Sequence, residues 1–304
     1  MEPIDYVVTY VDGTDPVWQE SFKQRMHGLE PASASKRYRD MDTLRFAFRG
    51  IEKFMPWINN VYLIVQGSTQ MPVWLNLVHP KLKIIFHDEF IPKGFLPTFN
   101  SNVIEMFAHN LPDLSENFII ANDDMIPVHP MTPDMFFRDG RPVYKKTVVS
   151  EDYELESNGV FKHIKYNNTT LQMKFLNTNR RIAFHHYHLL MPYKLSFWKL
   201  VWHRLGNDIL SRLRNSPMRT NRNVNHWLIS DLQMLEGITI DDQNLNTKGY
   251  CCLDNDMIKN DVFRAIHGSN VICLNDSITN ETTKYCVVEE ALNQYMPEPS
   301  LFEV

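Results

Sequence analysis

Phe118-Ile119-Ile120-Ala121-Asn122-Asp123-Asp124-Met125 is the stretch on which the fold turns. Four apolar residues suited to a buried strand run directly into an amide and two adjacent carboxylates. Open α/β sheets bind ligands in the crevice at the carboxyl ends of their strands, so the acids are expected at that edge. Two like charges side by side repel unless a cation or a proton relieves them. A polar turn capping a strand would use the same residue types. The segment upstream separates the two readings.

That segment is Leu96-Pro97-Thr98-Phe99-Asn100-Ser101-Asn102-Val103-Ile104-Glu105. Asn102 followed three places on by Glu105 is a capping-box pattern, and Val103, Ile104 and Phe107 supply an apolar helix face. Free N–H groups at a helix start attract anions, phosphate above all. Asn100, Ser101 and Asn102 are therefore candidate substrate contacts, close in sequence to an acidic strand end. The combination suits a nucleotide.

Working outward, residues 6–11, 61–65, 82–86 and 118–121 are expected strands. Residues 42–54, with Leu44, Ala47, Phe48, Ile51 and Phe54 at helical spacing, form an expected helix. A short helix is expected around 73–75 and another over 102–110. The alternation predicts an α/β fold, a mostly parallel Rossmann-like sheet with helices on both faces. Residues 131–179 read as a β-rich or irregular insertion, with a turn at Asn167-Asn168. Helices are expected over 196–205 and 225–236, whose aromatic stripes read as core, so a helical subdomain is inserted into the sheet. Residues 271–274 return to the sheet as a strand ending in acid at Asp276. The expected division is an α/β nucleotide-binding half (1–130), a mixed and helical insertion (131–250) and a C-terminal return (251–304), together one unit.

Composition narrows the class. The 304 residues can bury a substantial core, and a net charge of −5 offers no basic field for nucleic acid. No apolar run approaches the ~20 residues of a transmembrane helix. This excludes insertion and leaves peripheral membrane association open. Strand-like sequence from Ile4 leaves no room for a signal peptide. Cys251, Cys252, Cys273 and Cys286 form neither a paired metal motif nor a disulfide framework. A glycan at the formal acceptor Asn275-Asp276-Ser277 would obstruct an acidic strand end. A cytoplasmic protein, at the inner face of a membrane or free, is expected.

Four separated blocks resemble, in order, the four conserved regions of the Stealth family of sugar-1-phosphate transferases. That family includes bacterial capsule and cell-wall polysaccharide polymerases and the catalytic core of the lysosomal-enzyme GlcNAc-1-phosphotransferase. The first block is Ile4-Asp5-Tyr6-Val7-Val8-Thr9-Tyr10-Val11-Asp12-Gly13-Thr14-Asp15-Pro16. The second runs from Arg39-Asp40 through Leu44-Arg45, Ile51-Glu52-Lys53 and Pro56-Trp57 to Asn122-Asp123-Asp124. The third begins near His188 and Pro192 and reaches Arg219-Thr220. The fourth is Val271-Ile272-Cys273-Leu274-Asn275-Asp276, closing with Met296-Pro297-Glu298-Pro299-Ser300-Leu301-Phe302-Glu303.

The resemblance implies transfer of a sugar 1-phosphate from a UDP-sugar to a hydroxyl of an oligosaccharide or polysaccharide, lipid-linked or free, with release of UMP. It implies Mg²⁺ or Mn²⁺ as cofactor, held by Asp124 and Asp276. Asp124 is then the base or metal ligand, supported by Asp123 and Asn122, and Asn275 contacts substrate. Arg219 is the implied phosphate-gripping guanidinium, with Arg222 as the rival alignment because Met218 and Asn223 depart from the family pattern. His188 is the implied proton carrier, with His186 second. Asp12 and Asp15 would hold nucleotide or sugar, although the family often has Asn where this chain has Asp12. Arg45 follows the pattern of a helix entering the site. Two other readings carry different signatures. A glycosyltransferase would use the same donor, release UDP and usually show Asp-x-Asp after a strand. A carbohydrate-binding module would need exposed aromatic platforms in place of convergent charges.

Overall fold

A computed structural model describes residues 2–27, 37–151, 153–155, 159–253, 259–276 and 285–304. Its main sheet has four parallel strands, β1 (Ile4–Thr9), β2 (Val61–Val65), β3 (Leu82–Phe86) and β4 (Asn117–Asn122). The order is β3-β2-β1-β4, closed at the β4 edge by the antiparallel strand Met191–Lys194. The strand order therefore reverses between β1 and β4. Thr9 pairs with Asn122 at that point, so both carboxyl ends open into one crevice.

The strand centres are largely apolar because both faces are covered, with buried Asp5 in β1 and exposed Lys83 in β3 as exceptions. Val7, Tyr62, Ile64, Phe118 and Ile120 face a helical layer that includes Trp198, Leu228 and Leu232. Tyr6, Val8, Leu63, Ile119 and Ala121 face the opposite way, onto Leu44, Phe48 and Ile51. Those three belong to α2 (Thr43–Phe54), which follows α1 (Pro16–Arg25). Each fully buried side chain of this size contributes roughly 1.5–3 kcal/mol of transfer free energy.

After Asn122 the chain turns through Asp123-Asp124 and enters β5 (Met125–Pro127), which belongs to a second sheet. In that sheet Val271–Asp276 runs antiparallel to β5 and parallel to Tyr250–Leu253. The C-terminal return thus joins this smaller sheet and not the main one. α2 packs closely on β5 because Gly50 lacks a side chain: a Cβ there would lie 2.3 Å from the Pro127 carbonyl oxygen.

Four local expectations are corrected. The helix after Phe99 is Ser101–Met106, capped by Asn100 and not Asn102, and a 3₁₀ turn Ala108–Asn110 replaces its expected extension. Around Val73 there is no helix. The 3₁₀ turn lies at Ser68–Gln70, and Leu75 instead bridges to Glu303. Asn167 and Asn168 are not a turn: they lie inside Val160–Leu176, a helix of 17 residues. Their side chains are buried and satisfied by tertiary partners, so tertiary context overrides the turn preference of Asn. Finally, the expected helix over 196–205 continues to Leu213.

Candidate active site

The crevice between β1 and β4 opens into a cleft of about 460 Å³. Asn122, Asp123, Asp124, Ser101, Asn102, His188, Arg219, Asn275 and Asp276 all line it. The structure thus gathers nine of the expected site residues, drawn from five separate segments of chain. Each owes its place to backbone that is fixed locally. Asp123 and Asp124 form the two-residue link between the sheets, and the Asp124 carbonyl accepts from Leu274 N–H at 2.9 Å. His188 sits just before the edge strand Met191–Lys194.

Arg219 is positioned from the opposite wall. Its guanidinium donates to Ser101 Oγ at 2.5 Å and lies 5.5 Å from the centre of the Phe161 ring. The loop carrying it is clamped by Asn100, whose side-chain amide donates to the carbonyls of Ser216 and Met218 and to Asn223 Oδ1 at 2.9–3.0 Å. Asn100 is itself fully buried and caps the helix by accepting from Asn102 N–H. Burial pulls the Arg219 pKa down, and the Glu105 carboxylate opposes that shift.

The electrostatics of the acids follow from crowding in a secluded cleft. Burial, then repulsion from Asp124 and Asp40, pushes the Asp123 carboxyl well above the usual range. Burial also raises Asp124, with the adjacent His188 opposing the rise. Reciprocally, burial lowers His188 while Asp124 opposes the fall. Among the described residues Asp124 Oδ1 is buried without a hydrogen-bond partner, and its Oδ2 accepts from the Cys273 thiol at 3.5 Å. A carboxylate left with an unsatisfied buried oxygen is poised for a cation or an incoming donor.

Glu105 is a site residue that sequence reasoning treated only as a cap. It lines the cleft, accepts from Asn122 Nδ2 at 3.3 Å and lies 3.6 Å from His226 Nε2. Burial lifts its pKa to about 7, against the pull of Arg219. An acid set among the apolar residues Val103, Ile104 and Met106 was the available signal. Arg39, named only as the start of the second block, and His226 are also in the lining. Arg39 pairs with Asp276 at 3.0 Å.

Four expected residues are not in the lining. Asp15 caps α1, accepting from Val17 N–H, Thr69 and Gln70. Asp12 closes its own turn by accepting from Thr14. Arg45 faces Asp42 at 3.2 Å and the Trp74 ring at 5.3 Å. Asn100 stands behind the wall as described. Between the rivals, Arg222 is exposed and its side chain donates to the Ser211 carbonyl, outside the cleft lining. His186 pairs with the buried Asp231 at 2.6 Å and stacks on Trp227.

The switch-point cleft of this α/β fold thus gathers paired acids, a histidine and a half-buried arginine. Residues 37–144 match the family model for Stealth protein conserved region 2. The capsular polysaccharide phosphotransferase WcwK of Streptococcus pneumoniae is 30% identical over 99% of this chain and 98% of its own length. The receptor polysaccharide phosphotransferase WefC of Streptococcus oralis is 31% identical over the whole of both chains. The chain belongs to the Stealth family of polysaccharide phosphotransferases. Among solved structures, galactosyltransferase LgtC aligns with 97% of this chain and 96% of its own at a TM-score of 0.42 and 10% identity. Mouse xyloside xylosyltransferase 1 aligns with 93% of this chain and 99% of its own at a TM-score of 0.36 and 11% identity. Among the described residues no helix is long and apolar enough to cross a membrane.

Proposed function

We propose that the chain moves a sugar 1-phosphate from a UDP-sugar to a hydroxyl of a bacterial capsular or cell-wall glycan, with UMP as the leaving group. The observation that carries this reading is the meeting of Arg219, the Asp124–His188 pair and Asp123 on one switch-point cleft. That the relatives WcwK and WefC are polysaccharide phosphotransferases supports a polysaccharide acceptor.

Phosphoryl transfer asks a protein for alignment and for neutralisation of charged oxygens more than for covalent help. In the proposed step the acceptor oxygen attacks the phosphorus linked to the sugar. The bond from that phosphorus to the oxygen of UMP breaks, and the sugar's anomeric carbon–oxygen bond stays intact. His188, kept neutral by its burial, takes the acceptor proton, and Asp124 beside it stabilises the imidazolium. Arg219 offers parallel donors to the phosphate oxygens, with Ser101 holding its guanidinium and Glu105 balancing its charge.

The donor chemistry suits a divalent cation. Among the described residues Asp124 has an unpartnered buried oxygen, and Asp123 is crowded by two further acids. Mg²⁺ and Mn²⁺ are commonly held by one or two carboxylates together with substrate phosphates. Asp123 and Asp124 would hold such an ion, which when bound neutralises phosphate charge. Asp276 is engaged by Arg39. Activity should disappear on chelation and return with added Mg²⁺ or Mn²⁺. Full turnover after verified metal removal would take the ion out of the reaction.

Mass spectrometry of a UDP-sugar reaction tests the function. The acceptor should gain hexose plus phosphate with its anomeric configuration retained, and UMP should accumulate. UDP with a phosphate-free glycoside would make the chain a glycosyltransferase, and ligand binding without any turnover a binding module. Running a panel of UDP-sugars identifies the transferred sugar.

A further inference from the structure

Asp124, His188 and Cys273 bring a carboxylate oxygen, an imidazole nitrogen and a thiol sulfur within 4.8 Å of one another. They come from three distant stretches of chain, and the backbone fixes two of them against each other. Met125 and Cys273 are register partners, and Leu274 N–H donates to the Asp124 carbonyl. We propose that these three side chains form a site for a thiophilic divalent cation, Zn²⁺ above all, entered from the cleft. Occupancy of this site would block transfer by engaging His188 and Asp124.

Three features support the assignment. The set is mixed oxygen, nitrogen and sulfur, a combination that zinc accepts and that Mg²⁺, which wants oxygen, does not. The spacing also fits. A tetrahedral ion with bonds of about 2.0 Å to oxygen and about 2.3 Å to sulfur holds those two atoms about 3.5 Å apart. Cys273 Sγ and Asp124 Oδ2 are separated by 3.5 Å. Lastly, Asp124 and His188 line the cleft, so the fourth coordination position opens toward solvent or substrate, as in zinc sites with three protein ligands. On binding, the thiol gives up its proton to solvent and a sulfur–metal bond replaces the S–H bond. Cys273 is fully buried and makes no disulfide, so the sulfur is a preplaced ligand beside the cleft-lining Asp124.

The inhibition, though not the binding, rests on the transfer function proposed above. Titrating Co²⁺, an optical stand-in for Zn²⁺, into the substrate-free chain tests binding alone. The expected result is a near-ultraviolet thiolate-to-cobalt band that Zn²⁺ abolishes by displacement. Cys273→Ser should lose the band, while Cys252→Ser should keep it. In transfer assays the inhibitory Zn²⁺ concentration should rise at least about tenfold in Cys273→Ser, since even a supporting residue of a metal site contributes that much. Absence of a thiolate band, its loss in Cys252→Ser instead, or unchanged zinc inhibition would each overturn the proposal. Should Cys273→Ser fail to fold, X-ray absorption of the zinc-loaded wild-type chain decides. One sulfur near 2.3 Å supports the site, and an all-oxygen and nitrogen shell overturns it. A chain that releases UMP but shows no cobalt band would sink only this inference.

Discussion

Arg219 and Arg222 lie three positions apart in one polar loop, and sequence alone offered both for the phosphate. In the fold only Arg219 reaches the cleft, held by Ser101 and facing Glu105. Arg219→Ala should lower turnover roughly 10²–10³-fold, the usual scale for one preorganised donor. Lysine should restore little, because a point charge cannot reproduce two parallel donors. Arg222→Ala, compared at matched thermal melts, should keep most activity, and the reverse ranking would move the phosphate site. His188 supplies a pH signature. Its burial lowers the imidazole pKa from the usual 6.5, so the neutral base persists into mildly acidic solution. Turnover should be full above that lowered pKa and fall as pH drops through it, with the midpoint below 6.5. His188→Gln should remove this limb from the pH–rate profile, and an unchanged limb would assign it to another group. Asp12 and Asp15 show the opposite lesson. Their acidic turn was visible in the sequence, but one Asp12 oxygen accepts from Thr14 and both Asp15 oxygens are taken by Val17, Thr69 and Gln70. Composition cannot distinguish a carboxylate that caps from one that faces substrate.

The helix Ser101–Met106 illustrates how an element can be legible while its wiring is not. An anion-favouring helix start was readable upstream of the acids, yet the capping residue proved to be Asn100. The reason is long-range. The Asn100 amide satisfies the buried carbonyl of Ser216 and the part-buried carbonyl of Met218. Loss of the cap costs about 1 kcal/mol and the orphaned Ser216 carbonyl, the fully buried one of the two, roughly 1–3 kcal/mol more. Asn100→Ala should therefore destabilise the chain by about 2–4 kcal/mol in urea unfolding. It should also lower turnover in the folded fraction, because the Arg219 loop loses its anchor. A stable variant with unchanged kinetics would show that the loop is held elsewhere. The helix Val160–Leu176 makes the same point from the other side. Asn167 donates to the carbonyls of Asn221 and Asn223, and Asn168 to Asn225 Oδ1, so the pair ties a helix to the arginine loop.

Across the molecule, two sheets are joined at Asp123-Asp124 and closed by the last residues of the chain. Phe302 is buried against α2, and Glu303 takes Arg49 in a bidentate pair at 2.7–2.8 Å with both side chains largely hidden. Removing one partner of a buried pair costs about 3–5 kcal/mol, because the other charge is left without compensation. Glu303→Ala should show a loss of that size in denaturant unfolding. At a permissive temperature its turnover should stay close to wild type, since Glu303 lies outside the cleft lining. A loss of turnover without loss of stability would show that this closure communicates with the site. Phe302 and Glu303, at the close of the fourth family block, thus pack against α2 outside the cleft lining.

The apolar strands, their alternation with helices and the acidic strand end were determined by the sequence alone, since burial preference and period act locally. The same holds for the membership carried by the four blocks. Tertiary structure alone decided that Val271–Asp276 pairs with β5 in a second sheet, because strand partners are chosen by packing across the whole chain. It alone set Cys273 against Asp124 and turned Glu105 into the cleft with a pKa near 7. Burial and neighbouring charge fix such chemistry, and both are properties of the folded chain.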